Sequence, residues 1–92
     1  MALRQAADRG CAEAKQRVET AREGLQSAQE AYRLAVKRYQ VGIGTTFEVT
    51  DVQSTLVQSG NNYVQATNDL RVAEVRLARA LGYDLAQLLT KK

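Results

Sequence analysis

The chain has no proline, no histidine and no tryptophan, one cysteine, and one phenylalanine among five aromatic residues. Each absence narrows what 92 residues can do. Without proline, nothing removes a backbone donor from a long helix. Without histidine, the usual general base and the commonest metal ligand at neutral pH are missing. The lone Cys11 excludes an internal disulfide and a cysteine metal cage. So few aromatics argue against a thick mixed core. No run is long and apolar enough to cross a bilayer as a helix, and Met1-Ala2-Leu3-Arg4 does not start a convincing signal peptide. The formal charge of +3 is mild and spread along the chain, which disfavours nucleic acid as a partner.

What is present is alanine, at regular intervals. Ala7, Cys11, Ala14, Val18, Ala21, Leu25, Ala28, Tyr32, Ala35 and Tyr39 alternate spacings of four and three. This is a heptad seam, which predicts a supercoiled helix. A second seam follows: Val49, Val52, Leu56, Ser59, Tyr63, Ala66, Leu70, Ala73, Leu77 and Ala80. Between them lies Tyr39-Gln40-Val41-Gly42-Ile43-Gly44-Thr45-Thr46-Phe47-Glu48-Val49. Gly42 can take the positive φ that ends a helix, and Gly44 keeps the next link permissive. Thr45 with Glu48 has the form of a capping box for a new helix.

Folding the chain back at Gly42–Gly44 brings the two seams into register. Tyr39 falls level with Val49, Tyr32 with Leu56, Leu25 with Tyr63, Val18 with Leu70 and Cys11 with Leu77. Layers with alanine alternate between them, permitting close approach. The expected fold is all-α: a long antiparallel two-helix coiled-coil hairpin over residues 1–92. It comprises a helix over about 2–40, a tip turn at 41–45, a helix over about 46–81 and a short tail at 82–92. Gly82 is placed as the C-cap of the second helix, Asp84-Leu85-Ala86-Gln87 as the start of one further turn, and Thr90-Lys91-Lys92 as a frayed end. A two-helix rod buries one stripe per helix, which rarely stabilises a monomer. Val36, Ala31, Val57, Val64, Val72 and Val75 lie off the seams, so self-association into a helical bundle is expected. Gly24 and Gly60 interrupt the arms; either they are tolerated, or another helix closes on them, or the arms bend slightly there.

Chemistry is scarce. Cys11 sits on an apolar seam and reads as a small core residue. Tyr32, Tyr39 and Tyr63 are seam residues too. Gly42 and Gly44 lack the spacing, lysine and strand context of a phosphate loop. No catalytic residue, metal site or cofactor is indicated, and the chain does not read as an enzyme. Glu48 and Asp51 lie in the first turns of the second helix, where carboxylates suit the helix N-terminus. Several copies around an axis would turn them into an acidic constriction attracting cations. Arg33, Lys37 and Arg38 form a basic patch near the end of the first helix, where the dipole favours them as well.

Tyr39-x-x-Gly42, then Phe47-Glu48-Val49-x-Asp51-Val52-Gln53, then Leu56, Tyr63 and Ala66, and finally Arg79-Ala80-Leu81-Gly82 together resemble the TolC-type outer membrane efflux proteins. The resemblance covers nearly all of the chain, yet only the last periplasmic helical hairpin of a protein several times longer. Departures are Val52 where the family has alanine after the aspartate, Thr50 where a leucine often precedes it, and Gly44 where some members carry a polar or charged residue. The resemblance implies a fragment of the periplasmic α-barrel of a trimeric outer membrane channel for efflux or type I secretion. Val41, Gly42, Ile43, Gly44 and Thr45 would contact the periplasmic adaptor protein, and Glu48 and Asp51 would be entrance residues. The parent would reside in the outer membrane with this soluble segment in the periplasm, making no direct membrane contact. A hairpin of the adaptor itself, or a free-standing structural coiled coil, are the competing expectations.

Overall fold

The structure is a computed structural model that describes residues 2–90. It contains two helices, α1 (Ala2–Gln40) and α2 (Thr46–Thr90), joined by residues 41–45. Among the described residues there is no strand, and no helix is long and apolar enough to cross a membrane. Two compact units are distinguished: residues up to Val18 with those from Ala66 onward, and Glu19–Gln65. Within each, a stretch of α1 is paired with the antiparallel stretch of α2.

The heptad pattern accounts for burial in both units. Of the twenty seam residues only Tyr39 is exposed; the others are buried or half-buried. In the unit containing both chain ends, Cys11, Ala14, Ala66 and Ala80 are buried, with Val18, Leu70, Ala73 and Leu77 half-buried. In Glu19–Gln65, Ala28 and Ala35 are buried beside half-buried Leu25, Tyr32, Val49, Val52, Leu56 and Tyr63. The fully covered positions are therefore the small ones. A large seam side chain reaches past the single facing helix and keeps part of its surface in water, whereas an alanine methyl can be covered almost completely, as at Ala14 and Ala80. Tyr39 goes furthest, at 52% exposed, because the seam has no further layer beyond it to cover the ring.

Off the seams, α1 is faced with ion pairs. Arg22 donates a hydrogen bond to Glu19, and Arg33 donates two to Glu30, one of them from Nε at 3.1 Å. These bonds raise both guanidinium pKa values and hold the Glu30 carboxyl below the usual carboxylate range. Both pairs are solvent-exposed, so they favour the helix locally and contribute little to the packing of α1 on α2.

α2 departs from expectation at its C-terminal end. It runs without a break through Gly82 to Thr90, so the stop expected at Gly82 and the separate tail at 82–92 are not formed among the described residues. Gly82 lacks the positive φ of a helix stop, which among the described residues only Gly42 adopts. A glycine inside a helix costs about 1 kcal/mol relative to alanine. Leu85, Ala86, Gln87, Leu88 and Leu89 are good helix formers that offset it, and Gln87 Nε2 donates to the Tyr83 hydroxyl at 3.0 Å one turn back. The capping role expected of Asp84 falls on a side chain outside those described, and Lys91 and Lys92 lie outside the described residues.

Candidate functional site at the interhelix turn

The turn lies wholly within Glu19–Gln65 and is built by terminating one helix and starting the next within five residues. The last regular bond of α1 runs from Val41 N–H to the Lys37 carbonyl at 3.1 Å. Gly42 then takes φ +83°. Its N–H reaches back to the Tyr39 carbonyl at 3.1 Å, and Ile43 N–H reaches the Arg38 carbonyl at 2.9 Å. This pair of reverse bonds is the Schellman motif, and it satisfies carbonyls that the helix end would otherwise leave open. Gly44 N–H adds a second donor to the Arg38 carbonyl, also at 2.9 Å.

Gly44 is needed for a reason other than the backbone freedom expected of it. A β-carbon there would stand 3.0 Å from Arg38 Cβ and 3.0 Å from the Tyr39 nitrogen. The turn thus folds directly onto the last turn of α1, close enough that a β-carbon at Gly44 would require its neighbours to give by a few tenths of an ångström. Gly42, by contrast, has open space around it and is fixed by its φ alone.

Thr45 begins α2. Its Oγ1 accepts from Glu48 N–H at 3.1 Å, and its carbonyl accepts the first helical bond, from Val49 N–H, at 3.3 Å. Only this half of the capping box is made among the described residues. The Glu48 carboxylate turns instead toward the end of α1, where its Oε2 lies 3.7 Å from Arg38 Nε. Arg38 therefore receives the turn twice, by its carbonyl and by its guanidinium. Asp51 is exposed and is not drawn into this arrangement: its carbonyl accepts from Thr55 Oγ1 at 3.3 Å, and its carboxylate has no ion-pair partner among the described residues.

The hydrogen-bonded turn presents apolar side chains to water. Val41 is 71% exposed, Ile43 66% and Phe47 79%. The hydrophobic contact that often accompanies a Schellman motif joins the positions held here by Ile43 and Arg38; with arginine at the second position, Ile43 stays uncovered. Of the five residues of the turn, Val41, Gly42, Ile43 and Thr45 are exposed and Gly44 is half-buried. Phe47, two residues further on, is exposed as well; the sequence marks it only as part of the family motif and not as a tip contact. The signal was its position two residues before the seam begins at Val49, which puts its ring off the buried face.

Elsewhere, an open apolar cleft of about 470 Å³ lies between Ala6, Ala7, Ala80 and Tyr83, and its charged groups are Arg76 and Arg79. It brings together no nucleophile and base. Among the described residues no three histidine, cysteine, aspartate or glutamate side chains are placed to hold a metal ion.

Comparison with known proteins places this geometry in context. Residues 10–83 match the family described as outer membrane efflux protein, a span that takes in most of both helices and the whole turn. No curated protein and no solved structure matches the chain. With that match over most of its length, the chain belongs to the outer membrane efflux protein family.

Proposed function

We propose that this hairpin is part of the periplasmic wall of a trimeric outer membrane channel for efflux or type I secretion, and that its turn docks on the periplasmic adaptor protein. Family membership makes it a component of an efflux or secretion channel. One observation carries the docking reading further. The turn is locked by the Schellman bonds, the Gly44–Arg38 approach and the Thr45 cap, yet it displays Val41, Ile43 and Phe47. Exposed apolar groups on a rigid frame match the requirements of a preorganised docking surface. The family match also favours the channel component over the adaptor hairpin considered from the sequence.

In this reading the segment does no covalent chemistry and needs no cofactor or metal. It supplies passage, gating and assembly, in the periplasm, with the parent anchored in the outer membrane. Glu48 is held near the turn by Arg38 while Asp51 stays free of that pair. With several copies around an axis, Asp51 is the carboxylate better placed to act on passing cations. Exposed Val57, Val64, Val72 and Val75 fit a wall segment that is flanked by other helices.

The experiment is adaptor capture by the full-length parent protein carrying Gly42→Pro. Proline cannot take the +83° φ of Gly42, so the turn must rearrange and capture is expected to fall sharply while membrane insertion is unchanged. Undiminished capture would reject a docking role for the turn.

A further inference from the structure

Basic residues are spread along the chain, but the net charge is not. Residues 1–69 hold eight basic and eight acidic side chains, and residues 70–92 hold five and two, so the whole +3 falls on the last quarter of the sequence. There Arg71, Arg76 and Arg79 have no ion-pair partner among the described residues, whereas Arg22, Arg33 and Arg38 each engage a glutamate. Arg76 and Arg79 stand three apart on α2, where like charges repel. No acidic residue lies three or four places from either.

These two guanidiniums border the apolar cleft of about 470 Å³ in the unit that contains both chain ends. Its other walls are Ala6 and Ala7 of α1 and Ala80 and Tyr83 of α2, none of them acidic. An adjoining cleft of about 380 Å³ does hold acids: Glu13 and Asp69 line it with Arg17 and Arg76, and Arg79 does not take part. Tyr83 adds a donor to the apolar cleft. Its hydroxyl oxygen accepts from Gln87 Nε2 at 3.0 Å, which leaves the hydroxyl's own proton to be donated. A concave, mostly apolar site of this size with a few convergent polar groups fits a small molecule. Walls on both helices suit a single molecule better than a flat bilayer surface.

We propose that this cleft binds a small anionic amphiphile, a single carboxylate on a hydrocarbon body, taken up as a free molecule. The carboxylate sits between Arg76 and Arg79 and relieves their repulsion, since guanidiniums present paired donors that match its two oxygens. The hydrocarbon body covers Ala6, Ala7, Ala80 and the Tyr83 ring and takes that apolar wall out of water. A cationic amphiphile would meet two like charges, and a short carboxylate would leave the wall wet. The cleft and the turn belong to different units, and the inference does not rest on adaptor docking.

The test titrates the 92-residue chain, isotope-labelled, with sodium decanoate below its micelle concentration, by calorimetry and NMR. Acetate supplies the headgroup alone, decyltrimethylammonium the same body with the opposite charge, and phosphatidylglycerol vesicles an anionic lipid surface. Decanoate is expected to bind saturably, with shifts at residues 6, 7, 76, 79, 80 and 83, and the other three probes to leave those positions unmoved. Replacing both exposed arginines, Arg76→Gln with Arg79→Gln, is expected to weaken decanoate by about tenfold or more at unchanged helix content. The charge-reversed pair, Arg76→Glu with Arg79→Glu, is expected to turn the preference to decyltrimethylammonium, a gain that loss of folding cannot imitate.

Equal binding of decanoate and decyltrimethylammonium would overturn the inference. So would decanoate shifts confined to exposed Leu85, Leu88 and Leu89, affinity unchanged in the double glutamine variant, or no preference gained on charge reversal. Vesicle binding without decanoate binding would make the occupant a lipid surface and overturn it too. Adaptor capture by the turn is a separate measurement, so either result can fail while the other holds.

Discussion

Arg38 and the two glycines after it show how much of the turn is decided by single residues. Gly42 is required by its dihedral and Gly44 by its distance, and the two requirements predict different outcomes for the same substitution. Gly42→Ala puts a side chain into left-handed backbone, a cost of about 1–2 kcal/mol, with nothing nearby to clash. Gly44→Ala places a β-carbon 3.0 Å from Arg38 Cβ and the Tyr39 nitrogen. The turn and the end of α1 must separate by a few tenths of an ångström to admit it, which is expected to weaken the Gly44 N–H bond to the Arg38 carbonyl. Chemical denaturation at fixed protein concentration measures both. Amide hydrogen exchange separates them: Gly44→Ala is expected to deprotect residues 43 and 44, and Gly42→Ala to weaken the turn with its bonds retained. Thr45→Ala removes the oxygen that accepts from Glu48 N–H and is expected to cost about 1 kcal/mol, read in the same denaturation series. The sequence made Gly42 and Thr45 legible, since helix stops and caps have local signatures. The reason for Gly44 was not legible, because a close approach depends on where the chain returns. Glu48 shows the same limit: its spacing from Thr45 suggests a capping box, but a guanidinium brought alongside by the turn competes for the carboxylate.

At the scale of elements, the heptad period placed the buried face of both helices at every seam position except Tyr39, which is exposed, because a two-helix pair has only one neighbour to satisfy. Helix length was less legible. Gly82 looks like a C-cap in sequence, but a glycine stops a helix only when its φ turns positive, and the helix formers after it keep the chain in register. Gly82→Ala is therefore expected to stabilise α2 by about 1 kcal/mol and to raise helical content by circular dichroism. A residue that truly capped a helix would give the opposite sign. The ion pairs of α1 add a pH dependence. The folded-state pKa of Glu30 lies below its unfolded value because Arg33 hydrogen-bonds the carboxylate. Its contribution is thus present above the ordinary glutamate range and is lost as pH falls through it. Glu30→Gln is expected to flatten the acid limb of helicity between about pH 5 and about pH 3; an unchanged limb would show that the pair adds nothing.

For the whole molecule, the ordering of glycine, acidic and leucine-glycine motifs pointed to the efflux family before any coordinates, and the match over residues 10–83 agrees. Phe47 enters the sequence reading through the family motif and not as a displayed ring, because a sequence marks what a helix buries more clearly than what a turn displays. The docking of the turn on an adaptor remains the claim on which the functional account depends. It is tested most directly by residue-resolved NMR of the isotope-labelled chain titrated with the helical hairpin of a periplasmic adaptor. The account predicts shifts concentrated at Val41–Thr45 and Phe47, and their loss in Gly42→Pro. Binding that perturbs the helix flanks and spares the turn, or no perturbation up to saturating adaptor, would contradict it.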